Sequence, residues 1–224
     1  MNNKGSDNIM VAIYQIKTKP HGIQRYEHFT RKGEDGRGFV SIGYPGIGEL
    51  MNVDRDEIRD RLAFTYPHYE GQTLGYHSGV VNTFANGMNE GDIVLITNEL
   101  NNKVHVGQLG PYIYKQANDD MTVGMCHTRP VKWMKVLTTD VLNEDIQKLL
   151  RNRGILTQFY KEVSTSELEQ LFNSNRSTDD DDSTSTAQRH DLIAKALELI
   201  TDELYSEDRE RQVQAAIEIL RYYR

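Results

Sequence analysis

With 224 residues, a net charge of −7 and a hydrophobic fraction of 38%, the chain has room for one large domain, or for one domain with an appendage. No run approaches the roughly 18–20 apolar residues of a membrane span, and residues 1–8 hold neither an apolar signal core nor a cleavage pattern. The single cysteine, Cys126, excludes a disulfide within one chain and a multi-cysteine zinc site, and it fits a reducing compartment, so a cytoplasmic protein is expected.

The charge is uneven. Residues 176–224 hold seven Lys/Arg and twelve Asp/Glu, a net −5, which leaves −2 for the rest of the chain. The total argues against a simple basic nucleic-acid coat, but a nearly neutral main domain can still carry a local basic face. Any phosphate contacts would make affinity fall with salt.

In chain order, residues 9–16 read as a first strand and residues 25–31 as a short helix. A glycine-rich loop over 32–38 leads to a strand, Phe39-Val40-Ser41-Ile42. That strand ends in Gly43-Tyr44-Pro45-Gly46-Ile47-Gly48, where three glycines and a proline exclude regular structure. These glycines make no phosphate loop, because the Gly-Lys-Ser/Thr ending is missing, and their spacing is wrong for a dinucleotide fingerprint. They let the backbone turn with Tyr44 at the rim, where an aromatic ring can stack on a base for about 1–3 kcal/mol or simply pack on the core. Asp54 is a suitable N-cap for a helix over 54–62, with Glu57 three residues on as in a capping box, and residues 66–71 close it.

The stretch Tyr76-His77-Ser78-Gly79-Val80-Val81-Asn82-Thr83-Phe84 is polar and glycine-interrupted, and a helix is expected from 78 or 79 to 88. Glu90-Gly91-Asp92 then reads as a turn feeding a buried strand over 93–96. A polar, small-residue segment beside a buried strand can line a pocket. Strands follow at 104–109, 112–114, 126–135 and 154–160, with a helix at 142–152. In the strand at 126–135, Val131 and Trp133 share one face, and Lys132 and Met134 share the other. Many short strands and few helices predict an α+β fold built on a small mixed β-barrel. A helix over 164–172 and a Ser/Thr/Asn segment with four consecutive aspartates follow, too polar to repay its ordering entropy. Leu192, Ile193, Ala196, Leu197, Ile200 and Leu204, then Val213, Ala216, Ile217 and Leu220, recur at helical spacing. The expected division is a domain over 1–163, a short helix and linker over 164–186, and amphipathic helices over 187–224 that dock on the domain, a second copy or a partner.

Catalytic and metal signatures are not found. His77, His105 and His127 do not sit at zinc-ligand spacing, and no Gly-x-Ser-x-Gly elbow exists. Cys126 and His127 are neighbours on a strand and so point to opposite faces. The pattern is that of a binding module rather than an enzyme, with no cofactor or metal expected.

Five pieces in order carry a family likeness: Phe39-Val40-Ser41-Ile42-Gly43-Tyr44 with Gly48-Glu49-Leu50; Gly79-Val80-Val81-Asn82 before Met88-Asn89-Glu90-Gly91-Asp92-Ile93-Val94; residues 106–114; His127-Thr128-Arg129-Pro130-Val131-Lys132-Trp133; and Thr157-Gln158-Phe159. The region they span, about residues 9–161, resembles the PUA-like superfamily in its EVE and YTH branch, and is most similar to the N-terminal module of Mrr-type restriction-system proteins. The resemblance implies a barrel flanked by helices that reads a modified, extruded base in an aromatic-walled pocket. It implies Tyr44 where the family usually has tryptophan, His77, Ser78 and Asn82 on the pocket-lining segment, and Trp133 as a further pocket candidate. Arg37, Arg129 and Lys132 are candidates for contacting a nucleic-acid backbone, with a structural role equally open for Arg129 and Trp133. The expected partner is DNA in a restriction or anti-phage setting, with any nuclease on another polypeptide or on a part outside this chain. The alternatives are a YTH-like RNA-binding module and a regulatory protein whose C-terminal helices assemble an effector.

Overall fold

The apolar run after the Glu90-Gly91-Asp92 turn becomes an interior strand of the main sheet. In the computed structural model, which describes residues 9–33, 36–98 and 102–172, strand β4 (Ile93–Asn98) has its first four residues buried. The turn is held by the buried Asp92 carboxylate, which accepts from Ala12 N at 3.0 Å and from Asn89 N at 2.8 Å, and by Gly91 at φ +97°. The Ala12 bond interrupts the expected first strand, dividing it into β1 (Met10–Val11) and β2 (Ile13–Ile16).

The remaining elements are α1 (Tyr26–Thr30), β3 (Gly38–Ser41), α2 (Arg55–Thr65), α3 (Gly71–Asn82), β5 (Lys103–Leu109), β6 (Ile113–Tyr114), β7 (His127–Thr138), α4 (Glu144–Leu150), β8 (Leu156–Gln158), β9 (Val163–Ser164) and α5 (Thr165–Phe172). The main sheet runs β3-β7-β5-β4-β2-β8, with β6 also paired to β7. It is mixed: β2 and β4 are parallel, and the other pairs are antiparallel. The architecture is thus α+β on a curled sheet; among the described residues β3 and β8 remain its edges. The expected linker and helices beyond residue 172 lie outside the described residues.

Alternation along β2 and β4 feeds two cores. Tyr14, Ile16, Val94 and Ile96 join α1, α2 and α3 on one face. Ile13, Ile93 and Leu95 join α4 and Phe172 on the other. Burial on both faces is why these strands are nearly continuous in apolar residues. The Asp54 cap forms as expected, its side chain accepting from Glu57 N at 2.8 Å, and α2 runs three residues longer than predicted.

α3 departs further from expectation. It starts at Gly71, well before residue 78, and ends in a π-helical turn, Thr83–Gly87. Gly71, Gly75 and Gly79 argue against a helix locally. Packing of Leu74, Ser78, Val80 and Val81 into the core outweighs that preference.

Candidate functional site

The loop after β3 turns on a run of unusual backbone. Gly43, Tyr44 and Gly46 have φ of +88°, +64° and +89°. Glycine takes this region freely, but a bulky tyrosine does so only under strain, and Pro45 directly after it narrows its choices further. Such strain costs about 1–3 kcal/mol and persists where the surroundings over-determine it.

Here they do. His127 Nε2 donates to Tyr44 O at 3.2 Å, while Tyr112 Oη donates to His127 Nδ1 at 2.8 Å. Tyr66 Oη donates to Pro45 O at 2.7 Å. Gly46 N donates to Asp119 Oδ1 at 2.6 Å. Arg61 Nη1 donates to the carbonyls of Ile47 and Glu49 at 3.1 and 2.9 Å, and its guanidinium is paired with Glu57. His127 is fully buried, and burial pulls its pKa down to about 4. It is therefore neutral at physiological pH, with its Nε2 proton committed to the strained carbonyl.

The pinned Tyr44 ring forms part of an aromatic cluster. Its hydroxyl shares a hydrogen bond with His77 Nδ1 at 2.6 Å, a bond made within reach because α3 begins early enough to carry His77 past the loop. Tyr69 stacks on His77 at 4.0 Å between centroids and 9° between planes, and Tyr66 lies parallel to Tyr69 at 5.2 Å. Tyr44 stands edge-on to Tyr66 and to His77. Together with Ile42, Ile155 and the exposed Lys19, these four rings line a cavity of about 310 Å³, within the range of small-ligand pockets. Loss of water lowers the His77 pKa, with His68 adding to it, and raises those of Tyr44, Tyr66 and Tyr69. The aromatic walls are therefore uncharged near neutral pH. That is a setting for a planar, polar-edged ring.

A domain family of unknown function, DUF8426, matches residues 24–161. The chain belongs to this family. No curated protein and no solved structure matches it.

Of the residues expected to line the pocket of this DUF8426 domain, Tyr44 and His77 come together and three others do not. Ser78 is turned into the core, its buried hydroxyl without a hydrogen-bond partner among the described residues. Asn82 braces the π turn, accepting from Asn86 Nδ2 at 3.2 Å. Trp133 lies elsewhere: its Nε1 donates to Phe29 O at 3.0 Å, and its ring sits directly over Gly38 and Gly107.

Arg129 also needs correcting as a backbone-contact candidate. It is buried and donates to the carbonyls of Phe84, Ala85, Met88 and Gly110 at 2.8–3.2 Å. Four of its five donor sites are thus spent on protein. The negative end of α3 and its π turn gives the guanidinium a reason to be there. Arg37 and Lys132 are exposed and border one cleft of about 200 Å³.

Tyr66 and Tyr69 are the site residues that sequence reasoning passed over. Their signal was the aromatic density of Tyr66-Pro67-His68-Tyr69, read only as the end of a helix. Cys126 offers no nucleophile, since burial, then Asp119, pushes its thiol up to about 12. Among the described residues no helix is long and apolar enough to cross a membrane.

Proposed function

We propose that this protein is a PUA-like, EVE-type reader module that takes a modified base, extruded from DNA, into the cavity walled by Tyr44, Tyr66, Tyr69 and His77, in a restriction or anti-phage setting. The observation that carries the reading is the strained Tyr44, pinned through its own carbonyl and its neighbours' backbone so that its ring borders a cavity with uncharged aromatic walls and Lys19 at its edge. A rigid aromatic wall suits an extruded base because unstacking costs a few kcal/mol, which stacking and edge hydrogen bonds must return. The curled mixed sheet with helices on both faces agrees with the PUA-like assignment, and the ordered sequence pieces supply the defence setting.

Fluorescence polarisation with duplexes that differ at one modified cytosine or adenine tests it, using the full chain. Preferential binding of a modified duplex is expected. Tyr69→Ala, which removes the ring stacked on His77 and parallel to Tyr66 on the cavity wall, should lower that preference several-fold while leaving binding of the plain duplex in place. Equal affinity for every modified and plain duplex would overturn base reading. Tighter binding of the RNA of the same sequence would move the ligand to a YTH-like class, since the 2′-hydroxyl is the distinguishing group.

A further inference from the structure

A second and larger concavity, about 420 Å³, opens where β3, β6 and β7 meet. Its floor is apolar, with Phe39 half-buried and Ile113 exposed. Its rim is cationic: Arg31, Lys32, Arg37 and Lys115 line it and all four are exposed. The Lys115 ammonium stands 5.0 Å from the Phe39 ring centroid, so one cation already lies over the aromatic face. No Asp or Glu is among the described lining residues. Four cations in one cleft stand out on a main domain whose net charge is only −2 over residues 1–175. Arg37 also borders the neighbouring cleft, which is lined by both Lys132 and Glu90.

Apolar floor and cationic rim together match one chemistry: a nucleotide unit of a strand, with its phosphodiester on the rim and its base or sugar on the floor. Phe39 precedes Tyr44 by five residues of the same chain segment, so their Cα atoms stand at most about 18 Å apart. A single oligonucleotide can reach both.

We propose that this cleft is a strand-tracking subsite, in which Arg31, Arg37 and Lys115 bind phosphodiesters and Phe39 supports the adjoining nucleotide, independently of which base enters the aromatic cavity. The inference rests on the nucleic-acid reading above, but it predicts a separate observable. Phosphate contacts set the salt dependence, and the aromatic cavity sets the ratio of modified to plain affinity.

The test is a salt titration of full-chain binding to plain and modified duplexes and to the matching RNA, for the wild type, the double variant Arg31→Ala with Lys115→Ala, and Tyr69→Ala. The double variant changes only exposed side chains, and a thermal melt checks that it is folded. It should lower the slope of log affinity against log salt by about 2, on plain and modified duplexes alike, with the modified-to-plain ratio retained. Tyr69→Ala should change the ratio and keep the slope. An unchanged slope in the folded double variant overturns the cleft and leaves base reading standing. A wild-type ratio of one with the slope still falling in the double variant overturns base reading and supports the cleft. A slope that falls only on the RNA assigns the tracked strand to RNA and overturns the DNA form of the proposal.

Discussion

Tyr44 Oη is hydrogen-bonded to His77 Nδ1 across 2.6 Å, and Tyr26 Oη to His105 Nδ1 across 2.7 Å. Both histidines are half-buried, and loss of water lowers the pKa of each. Each pair also has a further aromatic neighbour, Tyr69 stacked on His77 and Trp133 edge-on to His105. Yet one cluster borders a cavity, and in the other an indole is seated against bare backbone. The difference lies in the backbone beneath. Gly43 and Gly46 use positive φ to turn the chain around Tyr44. Gly38 and Gly107 give up their side chains so that an indole can rest on bare backbone. Residue chemistry alone does not distinguish a site from a corner of the core; what glycine is used for does.

The cluster with the seated indole should break first and hardest. A Cβ at Gly38 would stand 2.1 Å from Trp133 Nε1 and 2.3 Å from Phe29 O. Gly38→Ala should therefore cost about 3 kcal/mol of stability in urea unfolding, at the upper end for overpacking. Trp133 is the one tryptophan in the chain, so its fluorescence reports this corner alone and should shift toward that of an exposed indole. Unaltered stability and emission would mean that the indole is not seated on Gly38.

Acid should act next, through the residue that pins Tyr44. The folded-state pKa of His127, about 4, lies below the usual 6.5, so the unfolded chain takes up the proton first. The stability associated with neutral His127 is complete above pH 6.5 and is lost as pH falls toward 4, to a total of about 3 kcal/mol. His77 and His105, both lowered, pull in the same direction. His127→Gln keeps an N–H that can reach the Tyr44 carbonyl but has no titrating group, so its urea midpoint should vary less over that range. Parallel decline of wild type and variant would assign the acid sensitivity to other groups.

Much of this was open to a reading of the residues, and the failures have a common cause. The doubly buried β4, the Asp54 cap and the turn at Gly91 follow from local pattern, Tyr44 stands out as an aromatic among glycines, and His77 is a candidate only through the family resemblance. Tyr66 and Tyr69 did not, because what places them is the return of the segment between α2 and α3 onto the Tyr44 loop, a contact that no local period encodes. For Trp133 the sequence leaves a pocket role and a structural role equally open, because alternation along β7 tells which residues share a face and not whether that face is open. An arginine is normally exposed. Arg129 is buried because the π turn offers two carbonyls, Met88 just after it a third and Gly110 a fourth, a demand set by tertiary structure. The early start of α3 was hidden by three glycines whose cost is met by burial elsewhere on the helix.

The smallest effect makes the sharpest comparison. Tyr44→Phe and Tyr26→Phe remove the same hydroxyl from equivalent bonds to a histidine Nδ1, and each should cost about 1 kcal/mol of stability, the net worth of one hydrogen bond. Their effects on ligand should differ. Phe at 44 keeps the ring but frees His77 to rotate on the cavity wall, so affinity for a modified duplex should fall several-fold while plain-duplex binding holds. Phe at 26 loosens His105 beside Trp133, away from that cavity, and should leave both affinities at the wild-type value. Equal losses of affinity from the two variants would mean that the hydroxyls act only through overall stability, and the cluster at the cavity would then have no more claim to a ligand than the one at the indole.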